Sequence, residues 1–225
     1  MQKRGVVVLA AVVSLGLCLG CNKKLHKNTE VLLDSLESGD FATLKSVAGP
    51  KLLEELDEET FLQFSATYQM LGKLKDRTRT GTGNTNGTQY INYKLEFEKG
   101  KLDLGVVSNS KGLIDGFNFS GDSWQEAVKA LLLDRAGKLL DAMAAKDTAA
   151  VEKLFTAGMV KEIQAKPLPD MTGLGKRKAL ELDELSDTDV GGTFSASFEH
   201  GSIELEVGMR GGKISSLNLK DPDEP

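Results

Sequence analysis

Cysteine is scarce in this chain and absent from nearly all of it. Cys18 and Cys21 are the only two, and none follows Cys21. A domain without thiols has no disulfide, no thiolate metal site and no cysteine nucleophile, so packing must hold it together. Histidine is almost as rare. His26 and His200 are the only two, and neither stands in the spacing of a metal site. An excess of basic charge is missing as well, since 28 Lys and Arg stand against 33 Asp and Glu, a net charge of −5. Nucleic-acid binding selects basic stripes, and broad adhesion to anionic lipid needs the same excess. The stretch "GLGKRK" lacks the glycine spacing that cradles phosphate. "DELSDTDVGG" lacks the alternating carboxylates, central glycine and final glutamate of a calcium loop, and reads as a solvated turn. No cofactor and no metal is expected.

Long apolar runs are missing too, with one exception. Lys3 and Arg4 are followed by "GVVVLAAVVSLGLCLG", sixteen residues without a charge. A spanning helix needs about 20 apolar residues, and a basic start before a short apolar run marks a signal peptide. The run ends in "LCLGC", which resembles the bacterial lipoprotein box. Gly20 fits the position before the cut, and Cys18 stands where that box usually has leucine. The resemblance implies a signal peptide over residues 1–20, lipidation of Cys21 and a tether over residues 21–28. Asn22 after the cysteine implies sorting to an outer membrane, facing the periplasm, in a host that has one. Acyl chains would hold the protein on the membrane without spanning it. The 205 residues that remain carry 26 basic and 33 acidic side chains, a net charge of −7.

Those residues hold a repeat. "LLDSLESGDFATLKSVAGPKLLEEL" aligns without a gap with "LLDAMAAKDTAAVEKLFTAGMVKEI" at an offset of 107, and "YKLEFEKGKLDLGVV" aligns with "FSASFEHGSIELEVG" at an offset of 101. Each copy opens with apolar residues at helical spacing. Gly39 ends one helix, and Asp40 caps the next in copy one, as Asp147 does in copy two. Ser123 and Glu126 form a capping-box pattern where the helices of copy two begin. Copy one adds a third helix, "DEETFLQFSATYQML", capped by Asp57. In copy two the same region reads "AKPLPDMTGLGK", and Pro167 and Pro169 forbid a helix there.

Strands follow. Ile91, Tyr93, Leu95 and Phe97 alternate with polar residues, as do Leu102, Leu104 and Val106. A turn at Lys99-Gly100 pairs Phe97 with Leu102, and a turn at His200-Gly201 pairs Phe198 with Ile203. Phe194, Ala196, Ile203, Leu205 and Val207 complete the inner face of copy two. Ile114 and Ile214 fall out of phase with the residues after them, which predicts a bulge near Gly116 and Ser216. Earlier strands are expected near residues 73–80 and 177–185. "GTGNTNGT", residues 81–88, reads as a loop with a turn at Asn86-Gly87. The fold class is therefore α+β: two tandem helix-then-antiparallel-meander modules, residues 29–120 and 121–220, the second reduced, followed by an acidic tail at 221–225.

The order of elements in residues 28–120 resembles uncharacterised bacterial domains of nuclear-transport-factor-2-like shape. The resemblance rests on "LLDSLESGDFATLKSV", "LDEETFLQFSATYQMLGKLK" and "YKLEFEKGKLDLGVVSNSKGLIDGFNF". It implies a helix-plus-sheet cone with a binding or supporting role. The tandem α+β inhibitors of β-lactamase share the duplication but not the third helix. Enzymes of the cone fold carry acid-base groups inside the cone. Here Tyr93 supplies the only polar atom of the expected inner face, and Glu96, Asp103, Glu204 and Glu206 fall on the other face. No catalytic residue is assigned. The expectation is a non-enzymatic envelope lipoprotein that binds or supports an envelope protein or a small apolar ligand. An enzyme of the same fold and an inhibitor of an envelope hydrolase are the alternatives.

Overall fold

The computed structural model describes residues 23–85, 88–186 and 190–220. The apolar start with Cys21, the Asn86-Gly87 pair and the acidic tail lie outside the described residues. So do the signal, lipidation and tail expectations.

The chain forms an α+β fold with two four-stranded antiparallel meanders. The first helix, α1, covers Lys23–Ser38. It therefore starts inside the segment expected to be a tether. Leu25 is the reason: it is fully buried, and Asn28 and Thr29 are buried beside it with hydrogen bonds to backbone carbonyls. Gly39, at φ 72°, ends α1. Asp40 then caps α2 (Phe41–Lys45), accepting from Thr43 N at 3.0 Å. Helix α3 (Pro50–Glu55) follows, with proline at its first position. Helix α4 (Glu58–Met70) is the expected third helix, capped by Asp57. Phe61, Ser65 and Tyr68 turn its buried face inward.

Strands β1 (Leu74–Thr85), β2 (Thr88–Phe97), β3 (Gly100–Ser108) and β4 (Ile114–Ser120) complete the first module. Gly81 to Thr85, expected in a loop, extend β1 against β2. Helix α5 (Asp122–Ala144) opens the second module. After it come α6 (Thr148–Leu154), α7 (Ala157–Ala165), a 3-10 turn at Thr172–Leu174, and strands β5 (Arg177–Leu185), β6 (Gly191–Phe198), β7 (Ser202–Arg210) and β8 (Lys213–Lys220). The capping box expected at the start of α5 does not form. Gly121 holds the cap position at φ 116°, and the Ser123 hydroxyl accepts instead from Lys101 N, which ties α5 to the start of β3.

The inner faces are as the alternation predicts. Ile91, Tyr93, Leu95, Phe97, Leu102, Leu104 and Val106 are buried, as are Phe194, Ala196, Phe198, Leu205 and Val207. Ile203 is half-buried. The expected bulges are present: Asp115 is skipped between the Val107–Gly116 and Ser108–Ile114 pairs, and Ser215 in the same place of the second sheet.

The hairpin register is not as expected. Leu95 faces Leu102 and Tyr93 faces Leu104, while Ala196 faces Ile203 and Phe194 faces Leu205. Both pairings sit two residues from the expected ones, which preserves the face. The turns are Glu98-Lys99 and Glu199-His200, and each is anchored to the preceding chain. Glu98 accepts from Lys73 N and Glu199 from Lys176 N, both at 3.2 Å, through the carboxylate. Lys99 N donates to Leu71 O and His200 N to Leu174 O. Gly72 and Gly175, at φ 78° and 74°, make room for those carboxylates: a Cβ on either would come 2.7 Å from the glutamate oxygen.

Helix α5 serves both cores. Trp124 stacks on Phe119 at 4.8 Å and Ala127 joins the first core, whereas Leu131, Leu132, Leu139 and Leu140 belong to the second. The β7–β8 turn of the second module docks on α4 of the first. Gly212 N donates to Gln63 at 2.9 Å, and Arg210 pairs with Glu59 at 2.8 Å.

Candidate functional site

The repeat carries a polar cluster in one copy only. In the first module His26 and Glu30 lie one turn apart on α1. Tyr93 projects from β2 beneath them, and directly paired strand positions share a face, so Arg77 and Arg79 of β1 lie on the same inner face as Leu95 and Tyr93. The Tyr93 hydroxyl bonds to His26 Nδ1, and the two rings stack at 6.0 Å. Glu30 pairs with Arg77 through one carboxylate oxygen, and its other oxygen stands 3.6 Å from His26 Nδ1.

Burial holds the Tyr93 phenol above its ordinary pKa, while Arg79 and Arg77 pull the other way. The phenol thus keeps its proton at neutral pH. The His26 side chain is half-exposed. Arg79 is exposed and has no ion-pair partner among the described residues. Deeper in the same module, Gln89 and Ser108 face each other across β2 and β3. Gln89 Oε1 and the fully buried Ser108 Oγ have no hydrogen-bond partner among the described residues, nor does Glu30 Oε1. Gln63 Nε2 on α4, where the second module docks, is unpaired among the described residues as well.

The second module shows what the same backbone does without those groups. At the helical offset of 107, His26 corresponds to Leu133 and Glu30 to Gly137. At the strand offset of 101, Gln89 corresponds to Val190, Tyr93 to Phe194 and Ser108 to Met209. Arg77 faces Leu95 and Leu180 faces Ala196; Arg79 faces Tyr93 and Leu182 faces Phe194. Seven polar positions in one copy are therefore apolar or glycine in the other.

The cluster offers hydrogen bonding and cationic charge. Glu30 is held by Arg77. His26, which falls in the expected tether, is part of it; His200 stays at the hairpin tip. Glu96, Asp103, Glu204 and Glu206 lie off the inner faces as expected. Among the described residues no group of His, Cys, Asp and Glu is placed to hold a metal, and no helix is long and apolar enough to cross a membrane.

A recess of about 320 Å³ in the second module is lined by Met143, Val151, Ile163, Leu168 and Asp170. It lies where α4 packs in the first module, since Met143, Val151 and Ile163 correspond to Leu36, Leu44 and Leu56. There Ser65 donates to Leu36 O at 2.7 Å and Phe61 packs on Phe41. Lys146 bridges to Asp170 at its rim at 2.9 Å, and hydrogen bonds from Lys146 and Thr172 hold the Asp170 carboxyl well below the usual carboxylate range.

A scan against protein-family models and searches of curated proteins and of solved structures return no match for this chain.

Proposed function

We propose that this chain is a lipid-anchored protein of the bacterial cell envelope, held through Cys21, with a non-enzymatic binding role carried by its first module. The second module supports the first. The resemblance of the start to the lipoprotein box and of residues 28–120 to the cone-shaped domains is part of this reading. The observation that carries the division of labour is the polar-to-apolar contrast at matched positions. At matched positions the first copy has His26, Arg77, Arg79 and Tyr93 where the second has Leu133, Leu180, Leu182 and Phe194. A purely structural pair has no need of this difference, because the Leu133, Leu180, Leu182 and Phe194 set builds the same sheet and helix. The group recognised is anionic: Arg79, exposed and without an ion-pair partner among the described residues, suits a carboxylate or phosphate-bearing partner in the envelope.

Two measurements test the reading. With Cys21→Ser, the protein leaves the membrane fraction and loses lipid label; retention without label overturns the anchor. A photo-crosslinking residue at position 79 captures a discrete envelope partner, and the same residue at the matched position 182 does not. Equal capture at the two positions overturns the assignment of binding to the first module.

A further inference from the structure

One end of each module is formed by its leading helix and the loop between its last two strands. In the second module, Arg135 Nε donates to Gly212 O at 3.0 Å. In the first, Asn28 at the matched position donates to Gly112 O at 2.7 Å, and Lys24 Nζ to Lys111 O at 2.6 Å. The two ends are built alike and covered differently. The second is capped by α4, since a Cβ on Gly212 would come 2.8 Å from the Ala66 Cβ. The first presents exposed Lys23, Lys24, Lys27 and Lys111. Their counterparts in the second module are Ala130, Leu131, Asp134 and Gly211.

Lysines gather in the first described turns of α1, where no acidic residue stands. The chain also leaves the described structure at this end. Cys21 precedes Lys23 by two residues, a reach of roughly 7 Å at full extension. This is within the Debye length of about 8 Å at physiological salt.

We infer that this end of the first module docks on an anionic phospholipid surface, with Lys23, Lys24, Lys27 and Lys111 against the headgroups. The inference rests on the proposed anchoring at Cys21, which brings the lysines to the surface. The net charge of the whole chain argues against broad adhesion to such a surface; the patch is local and its acidic neighbours are engaged. Glu30 pairs with Arg77, and Asp115 accepts from Asn109 at 3.0 Å. Each lysine held near such a surface strengthens binding by about fivefold. The orientation that results places the His26 and Tyr93 cluster on the membrane-proximal side of the first module.

The test uses the full chain, expressed with its own N-terminus and reconstituted in vesicles of phosphatidylcholine or of phosphatidylcholine with phosphatidylglycerol. Lysine acetylation is followed residue by residue by mass spectrometry. Docking predicts that Lys23, Lys24, Lys27 and Lys111 react several-fold more slowly on the anionic vesicles, that high salt removes the difference, and that Lys161 and Lys213 of the second module do not change. Equal rates on the two vesicle types, or slowing spread over both modules, overturn it. In a Lys23→Glu, Lys24→Glu, Lys27→Glu variant, Lys111 loses its protection while the fold is kept, because all three side chains are exposed. Protection that persists in this variant also overturns the inference. The mass of the N-terminal peptide in the same sample reports whether Cys21 carries lipid, so failure of the anchor and failure of the docking are read separately.

Discussion

The two modules differ in two places, and the differences are of opposite kinds. At the open end of the sheet the first module is polar and the second apolar. Under the leading helix the first is filled by α4, and the second has a strap of Pro167, Leu168 and Pro169 over a recess. The strap follows from proline chemistry. Two prolines in three residues remove the donors and the backbone freedom a helix needs, so the chain crosses the same surface extended. Losing α4 leaves the second module dependent on the first, whose α4 then serves both. It fills its own core through Phe61 and receives Gly212 of its neighbour through Gln63. One copy has a strap where the other has a helix, and one has a polar cluster where the other is apolar.

The largest test of that comparison is Phe61→Ala. Phe61 is fully buried and packs on Phe41 at 5.3 Å. Truncating it leaves a cavity and should cost about 3–5 kcal/mol. Leu168→Ala in the half-buried strap should cost about 1 kcal/mol. Trp124, the only tryptophan, lies in the aromatic cluster of the first module, so its fluorescence follows that module in denaturant. Hydrogen exchange in β6 and β7 follows the other. Equal losses from the two substitutions would mean that the strap replaces the helix in energy as well as in place.

A reciprocal exchange at one matched position comes next. Phe194→Tyr puts a hydroxyl where Leu133 and Leu182 offer no partner, and should cost about 1–3 kcal/mol. Tyr93→Phe removes a hydroxyl from a half-exposed histidine that water can reach, and should cost about 1 kcal/mol or less. Stability near neutral pH, measured for the single variants, checks the asymmetry. If Phe194→Tyr is silent, the second module has room for polar groups and the contrast weakens.

All three tyrosines belong to the first module. Burial pushes Tyr68 far up, with Glu37 and Asp34 adding to it, and burial also pushes Tyr93 up. A group whose pKa is raised on folding contributes stability that is complete below its unfolded value and is lost as pH rises above it. For tyrosine that unfolded value is about 10. The first module should therefore loosen above about pH 10 while the second does not. Absorbance at the phenolate band should show Tyr68 and Tyr93 ionising only as Trp124 fluorescence reports unfolding. Full ionisation ahead of unfolding would show that neither phenol is held by burial.

How much of this was legible in the sequence depends on the range of the interaction concerned. The inner faces were readable, because alternation between Ile91 and Phe97 is a local property with a period of two. The same period hides register. A shift of two residues leaves every side chain on its face, so alternation alone does not distinguish Leu95–Leu102 from Phe97–Leu102. The choice is made by Glu98 and Glu199 reaching back to Lys73 and Lys176, 25 and 23 residues away in sequence. The polar cluster escaped because "KKLHKNTE" has one buried leucine and no apolar stripe, and so reads as a tether. The signal that exposes it is in the repeat itself. Extending the helical alignment upstream from Leu32 and Leu139 sets His26 against Leu133 and Glu30 against Gly137, a polar-to-apolar change in an otherwise parallel pair of helices.

The smallest effect tests what the modules share. The Glu98 and Glu199 carboxylates are exposed and accept backbone N–H groups at the same distance of 3.2 Å. An exposed charge-assisted bond of this kind contributes about 0.5–1 kcal/mol. Glu98→Ala and Glu199→Ala should then loosen their own hairpins by similar amounts. Exchange at the Lys73 and Lys176 amides, which lose their acceptors, reads the effect directly. Matched responses are expected because the anchor is repeated whole: a glycine in left-handed conformation, the amide after it and the glutamate that reaches back. A response in one module alone would show that the two hairpins, alike in geometry, have diverged in energy as the polar end has diverged in chemistry.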